Sequence, residues 1–172
     1  LMNDVGYDVV TLGNHEFDNG TAELARRLSD LKPKVVCANY DFSSSVLAKY
    51  VKPYAIVRKA GRKIGIIGLL TDISKVVDRD IAAEFRYKDP AEVTNAMAEF
   101  LRKEKSCDMV ICLSHLGYEE DRMLASRIRN VDVIVGGHSH TLLHRLQKET
   151  DLDGKQVVIV QNWKWGLNVG QL

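Results

Sequence analysis

The chain has 172 residues, of which 45% are hydrophobic and 27% are charged, and its formal net charge at pH 7 is +1. This length fits one domain with a core of its own. The nearly balanced charge argues against nucleic acid or a membrane surface as the partner. Because no stretch of about eighteen consecutive apolar residues occurs, we predict no membrane span.

The amino-terminal part of the chain predicts a short helix followed by strands and helices in alternation. The chain opens in helix-compatible residues without a cap signal, and a run of β-branched residues predicts a strand at residues 8–12. Apolar residues at helical spacing predict a helix over residues 21–31, which Pro33 ends. A short buried strand is predicted at residues 34–38.

The middle of the chain predicts a hairpin and then a longer helix. Two β-rich runs, at residues 54–59 and 63–69, flank a short turn that contains glycine, which is typical of a β-hairpin. Asp89 and Pro90 have the residue types that favour the N-cap and the first position of a helix. We therefore predict a helix from Pro90 to about residue 105.

The second half of the chain predicts four strands and one helix. The strands are expected at residues 109–113, 131–135, 156–161 and 167–172, and the helix at residues 119–129. Residues 142–153 are predicted to be a solvent-exposed loop. Strands that alternate with helices favour an α/β fold with some parallel pairing, whereas the hairpin and the final strand pair favour mixed sheets.

Polar, metal-competent side chains follow three of the predicted buried strands. Asn14 and His15 follow the first strand in a GNHEFD segment, His115 follows another in an SHLG segment, and His138 and His140 lie in a GGHSH segment after a third. In an open α/β sheet, ligands bind at the carboxyl ends of the strands. Because amide oxygen and imidazole nitrogen suit a divalent transition metal, the sequence predicts a metal site at these strand ends.

Taken together, the three segments resemble those of calcineurin-like metallophosphoesterases, in the branch that contains 5′-nucleotidases and UDP-sugar hydrolases. The resemblance covers essentially the whole chain and implies a four-layer α-β-β-α sandwich with two facing mixed sheets. It also implies a hydrolase of phosphate esters, acting on a nucleotide or another small phosphate ester, with 5′-nucleotidase activity as the first expectation. Cyclic-nucleotide phosphodiesterases, UDP-sugar hydrolases and thiosulfohydrolases share these motifs, so the substrate stays open.

The resemblance assigns Asn14, His115 and His138 to one metal and His140 to a second metal. The two divalent ions, Zn²⁺, Mn²⁺ or Fe, would share a bridging Asp and a hydroxide that attacks phosphorus. The simpler alternatives are that Asn14 stabilises the tight turn after its strand, and that the three histidines are ordinary polar residues. If residues 138–140 are extended, the two histidines of this segment point to the same side.

The resemblance gives His15 and Asp18 catalytic roles without a metal bond. His15 would donate a hydrogen bond to the phosphoryl group or protonate the leaving oxygen. Asp18, three residues later, would orient the imidazole and favour its charged form. The alternative is that Asp18 caps the helix predicted after it.

The DxH and GD motifs of the family, which supply the bridging Asp, do not occur in this sequence. We therefore expect residues 1–172 to be a catalytic domain truncated at its amino-terminal side, without its first strands and without a C-terminal substrate domain. Such a chain would bind at most one metal and would be impaired or non-catalytic. Its exposed sheet edges suggest a dimer, and the resemblance indicates a periplasmic or extracellular location.

Overall fold

The structure is a computed structural model that describes residues 1–171. Its helices are α1 (Met2–Val5), α2 (Gly20–Ser29), α3 (Arg79–Ala83), α4 (Pro90–Lys103) and α5 (Tyr118–Ala125), and short 3-10 helices cover Asn14–Phe17, Val46–Lys49 and Ile73–Lys75. Its strands are β1 (Val9–Thr11), β2 (Lys34–Val36), β3 (Tyr40–Asp41), β4 (Val51–Lys52), β5 (Tyr54–Lys59), β6 (Arg62–Leu70), β7 (Arg86–Tyr87), β8 (Met109–His115), β9 (Val133–Val135), β10 (Gln147–Thr150) and β11 (Gln156–Val160).

A small sheet in the order β1-β2-β4 is parallel throughout. Helix α2 covers one of its faces, because Leu24 and Leu28 recur at helical spacing and turn inward. These two side chains pack in one buried cluster with Leu12 and Val35, which come from the end of β1 and from β2. The small sheet and the segment that follows β1 therefore pack against helix α2.

A larger mixed sheet has the strand order β10-β11-β9-β8-β6-β5. The four central strands are parallel to one another, and the edge strands β5 and β10 are antiparallel to their neighbours. Helices α4 and α5 cover one face of this sheet, where Leu101 and Leu124 pack against Ile67 and Ile134. The covering helices explain why the central strands are almost continuously apolar.

The two sheets face each other through a third cluster, which contains Val36, Ala55 and Ile66. Their backbones come close at Gly68, where a Cβ would overlap the carbonyl oxygen of Val36. The amide of Ala38 also donates to the Gly68 carbonyl at 2.8 Å. The layers therefore follow the order α2, small sheet, large sheet, and α4 with α5, which confirms the predicted four-layer α-β-β-α architecture.

The predicted hairpin and the cap of α4 are confirmed. Strands β5 and β6 pair antiparallel, and the Asp89 carboxylate accepts hydrogen bonds from the amides of Ala91 and Glu92. None of the helices within residues 1–171 has the length and apolarity needed to cross a bilayer.

Three details of the sequence prediction are wrong. The helix predicted at residues 119–129 ends at Ala125. After that residue, the side chain of Asn95 in α4 donates to the carbonyl of Arg127 and accepts from the amide of Arg129, which holds this segment in a non-helical conformation. Residues 142–153 contain strand β10, which covers the otherwise open edge of β11. The strand predicted at residues 167–172 is absent from residues 167–171, which have no pairing partner there, and Leu172 lies outside the described residues.

Candidate metal centre

The carboxyl ends of β1, β8 and β9 bring together three of the predicted ligands. Asn14 begins the 3-10 helix after β1, His115 is the last residue of β8, and His138 follows β9 by three residues. Asn14 is buried beneath this surface, whereas His115 and His138 are half-buried. The strand prediction at residues 109–113 was short by two residues, because His115 still pairs with Leu70 of β6.

The side chain of Asn14 is the centre of this cluster. Its Oδ1 lies 3.1 Å from His115 Nε2 and 3.2 Å from His138 Nδ1, and the two imidazole centroids are 5.1 Å apart. Ligand atoms that lie about 2.1 Å from one shared ion are about 3.0–3.4 Å from each other in octahedral and tetrahedral shells. The two separations from Asn14 Oδ1 therefore fit an ion that Asn14 shares with each of the two imidazoles.

The protonation of His115 also suits a metal ligand. Burial, followed by the neighbouring charges of His138, His15 and His140, lowers the pKa of His115 to about 4. The imidazole is therefore neutral near pH 7, which is the form that offers a nitrogen lone pair to a metal. Without an ion, the same nitrogens can donate hydrogen bonds to the amide oxygen of Asn14.

Within residues 1–171, no group of three or more His, Cys, Asp or Glu side chains is arranged to hold a metal ion. The cluster described above contains only two such side chains, because its third donor is the amide oxygen of Asn14. The fit to a metal therefore depends on a neutral oxygen and two imidazoles, a donor set that suits Zn²⁺, Mn²⁺ or Fe.

His140 is not part of this three-residue cluster. Its side chain is exposed and makes no hydrogen bond among the described residues, although it is near enough to lower the pKa of His115. Residues 138–140 are not extended, since His138 and His140 have φ angles of 70° and 54°. The condition under which the two histidines would point to the same side is therefore not met. The amide of Ser139 donates to the carbonyl of Gly137 at 2.9 Å, so the segment turns tightly instead.

The ring of His115 lies close to two glycines. A Cβ at Gly13 would come 2.8 Å from Cε1 and 2.9 Å from Nε2 of His115, and a Cβ at Gly137 would come 3.3 Å from Nδ1. Neither glycine has a positive φ. Their role at this site is therefore to leave space for the imidazole, since the backbone there is open to any residue.

The His15–Asp18 pair forms as the sequence predicts. His15 Nδ1 lies 2.8 Å from Asp18 Oδ2, and the two side chains are 80% and 50% exposed. The completely buried ring of Phe17 anchors the segment between them through an edge contact with Phe85. Helix α2 begins at Gly20 without a side-chain cap, so Asp18 pairs with His15 and does not cap the helix.

A groove of about 500 Å³ has His138 of the cluster among its lining residues. Its walls carry charges of both signs, including Lys75, Arg127 and Asp89, and the ring of Tyr87. The groove therefore adjoins the cluster at His138.

Sequence reasoning missed the buried carboxyl of Asp121, which lies behind the two histidines. One signal could have identified it, since Asp121 lies three and four residues before the buried Leu124 and Ala125 on helix α5. This spacing places an acid on the apolar face of the helix.

A family profile for calcineurin-like phosphoesterases matches residues 2–142. A probable 5′-nucleotidase of Treponema pallidum is 36% identical over 188 residues, which cover 100% of this chain and 31% of that protein. A snake venom 5′-nucleotidase of Gloydius brevicauda is 32% identical over 196 residues, which cover 100% of this chain and 32% of that protein. This chain therefore spans about a third of the length of these relatives.

The fold is similar to that of a solved structure. The crystal structure of a 5′-nucleotidase precursor from Thermus thermophilus superposes with a TM-score of 0.90 and 38% sequence identity. The superposition covers 96% of this chain and 35% of that one. The similarity extends over the whole four-layer arrangement described above.

Proposed function

This chain belongs to the calcineurin-like phosphoesterase family, and we propose that it forms part of a metal-dependent hydrolase of phosphate esters. The observation that carries the proposal is the convergence of His115 and His138 on the amide oxygen of Asn14. The His15–Asp18 pair supports it, because phosphate-ester hydrolysis needs a donor for the charge that develops on the phosphoryl oxygens.

The residues suited to hold a divalent ion are Asn14, His115 and His138. A divalent ion bound there would supply Lewis-acid charge at a phosphoryl oxygen and would lower the pKa of a bound water. The family resemblance implies a dinuclear site, in which His140 is the ligand that this chain offers to the second ion. Because the sequence lacks the DxH and GD motifs, we propose that residues 1–172 alone hold at most one ion.

His15 is proposed to contact the phosphoryl group and not a metal. Asp18 fixes the imidazole through Nδ1, which leaves Nε2 to donate to a phosphoryl oxygen or to protonate the leaving oxygen. The exposure of His15 leaves room for a ligand at this nitrogen. His15 and Asp18 are therefore the catalytic pair of the proposal.

The proposed substrate is a nucleotide, with hydrolysis of a nucleoside monophosphate to nucleoside and phosphate. Support comes from the names of the relatives, which are 5′-nucleotidases, and from the groove that reaches His138. Cyclic-nucleotide, UDP-sugar and thiosulfate-ester substrates are alternatives that use the same motif residues. The alternative to a catalytic function is a metal-binding fragment that does not catalyse hydrolysis. A periplasmic or extracellular location is proposed because one relative is named from snake venom.

The test is metal-dependent phosphate release from a nucleoside monophosphate. We expect slow release by the wild-type chain with Mn²⁺ or Zn²⁺, and a further loss of about 10²-fold or more in His138→Ala. His144, which is exposed and outside the motif, supplies the matched control His144→Ala, which should match the wild type. Metal binding without any metal-dependent release would contradict a catalytic function and favour the non-catalytic alternative.

A further inference from the structure

A buried polar network lies directly behind the candidate metal centre. The Asp121 side chain is completely buried, and its Oδ1 accepts a hydrogen bond from the Ser114 hydroxyl, which is itself buried. The other oxygen, Oδ2, has no hydrogen-bond partner among the described residues. A buried, unpaired carboxyl oxygen is rare in folded proteins and calls for an explanation.

On one side, Asp121 holds the end of strand β8. Ser114 directly precedes His115, and its hydroxyl donates to Asp121 while accepting from the amide of Leu116 at 3.2 Å. The hydroxyl therefore joins the backbone on both sides of His115 to the carboxyl. A displacement of Asp121 would therefore be transmitted to the imidazole of His115 through Ser114 alone.

On the other side, Asp121 packs against the segment that carries His138. A Cβ at Gly136 would overlap Oδ2 of Asp121 and would lie 3.4 Å from the side-chain oxygen of Gln161. The Gln161 amide also lies 3.2 Å from the hydroxyl of Ser139, the residue after His138. The carboxyl thus sits between the two chain segments that end in His115 and His138.

This arrangement costs stability. An unsatisfied buried polar group is destabilising, and burial raises the pKa of Asp121 to about 7 in spite of the Ser114 hydrogen bond, which acts in the opposite direction. An apolar residue of similar size would avoid this cost, so packing alone does not account for an acid here. Its contacts with Ser114 and Gly136 indicate instead a role in placing the two histidines.

We propose that Asp121 is a positioning residue that sets the spacing between His115 and His138, and through it the metal affinity of the site. The metal part of this inference rests on the proposed function, whereas the spacing of the two imidazoles does not. Groups next to metal-bound histidines commonly change metal affinity by about 10–100-fold when they are removed.

The test compares three variants with the wild type. Asp121→Ala removes both contacts, and Asp121→Asn keeps an oxygen for Ser114 and a neutral group beside Gly136. Asp132→Ala is the matched control. The Asp132 carboxylate accepts from the amide of Val110 at 2.7 Å and from Arg102. It therefore also joins β8 to β9, but at the end of these strands that is opposite to the two histidines. The readouts are Co²⁺ binding by absorption titration, the imidazole NMR shifts of the metal-free protein, and thermal unfolding.

We expect Asp121→Ala to bind Co²⁺ about 10–100-fold more weakly, and Asp121→Asn and Asp132→Ala to stay within about threefold of the wild type. Unchanged affinity in folded Asp121→Ala, or an equal loss in Asp132→Ala, would overturn the proposal. If Asp121→Ala does not fold, Ser114→Ala removes the same hydrogen bond. It should weaken binding several-fold, and unchanged binding in that variant would count against the positioning role.

The NMR readout separates this inference from the proposed function. If the wild-type chain binds no Co²⁺, the metal site itself is refuted. The imidazole signals of His115 and His138 then decide the positioning role, because they should move in Asp121→Ala and stay in place in Asp132→Ala. Signals that are unchanged in Asp121→Ala would refute it.

Discussion

Replacing Gly13 with alanine tests the candidate metal centre with a single methyl group. The new Cβ would lie 2.8 Å from Cε1 of His115, whereas ordinary van der Waals contact begins at 3.4 Å. The backbone of Gly13 has φ −109° and ψ 175°, which alanine adopts without strain. The new Cβ would also lie 2.8 Å from Oε2 of Glu16, which accepts from the Gly13 amide. The loss of stability in Gly13→Ala should therefore come from both contacts, and the loss of metal from the contact with the imidazole ring.

To restore ordinary contact, the ring of His115 must move by about 0.6 Å, unless the backbone moves with it. Metal–ligand distances tolerate only about ±0.2 Å, so the displaced nitrogen should leave the first coordination shell. We expect Gly13→Ala to bind Co²⁺ at least about tenfold more weakly, which corresponds to about 1.4 kcal/mol. Overpacking should also lower the free energy of unfolding by about 1–3 kcal/mol.

Gly137→Ala supplies the matched control, since its Cβ would approach the same ring less closely. That Cβ would lie 3.3 Å from Nδ1 of His115, only slightly inside ordinary contact. Titration with Co²⁺ should therefore show a loss of no more than about threefold. Equal affinity in Gly13→Ala and the wild type would show that the ring of His115 does not hold the metal.

Three further predictions address other parts of the site. His15→Ala should keep its bound metal and lose about 10²–10³-fold in kcat, and loss of metal in that variant would contradict the separate role of His15. Burial raises the pKa of Asp121 from 3.8 to about 7. Between pH 3.8 and about pH 7 the native state therefore binds more protons than the unfolded state, and the stability of the wild type falls as the pH rises through this range. The stability of Asp121→Asn relative to the wild type should accordingly increase from pH 4 to pH 8 in urea unfolding, and a constant difference would contradict a raised pKa. A dimer through an edge strand should raise the sedimentation coefficient with concentration, and a constant monomer value would exclude it.

The sequence predicts most of the site because the relevant signals are local. Runs of β-branched residues mark the strands, and the polar residues that follow them mark their carboxyl ends. His115 and His138 come together because their parallel strands β8 and β9 end at the same edge of the large sheet. Asn14 joins them from the end of β1 in the facing small sheet. The His15–Asp18 pair is local as well, since three residues along a 3-10 turn bring the two side chains side by side.

The features that the sequence did not predict depend on distant contacts. Strand β10 is polar and exists because it pairs with the edge of β11, a partner that its own residues do not reveal. The left-handed backbone of His138 and His140 follows from a tight turn that the pattern GGHSH does not specify. Asp121 is buried because β8, β9 and α5 meet around it, and its position on the apolar face of α5 is the one local sign of that burial.

The most direct test of the central claim is the amount of divalent metal bound per chain. We predict that equilibrium dialysis against Mn²⁺, Zn²⁺ or Co²⁺ will give about one ion per wild-type chain, because Asn14, His115 and His138 supply donor atoms for a single ion. His138→Ala should lose this ion, and His15→Ala should retain it. No bound ion in the wild type, or equal loss in His15→Ala and His138→Ala, would contradict the account.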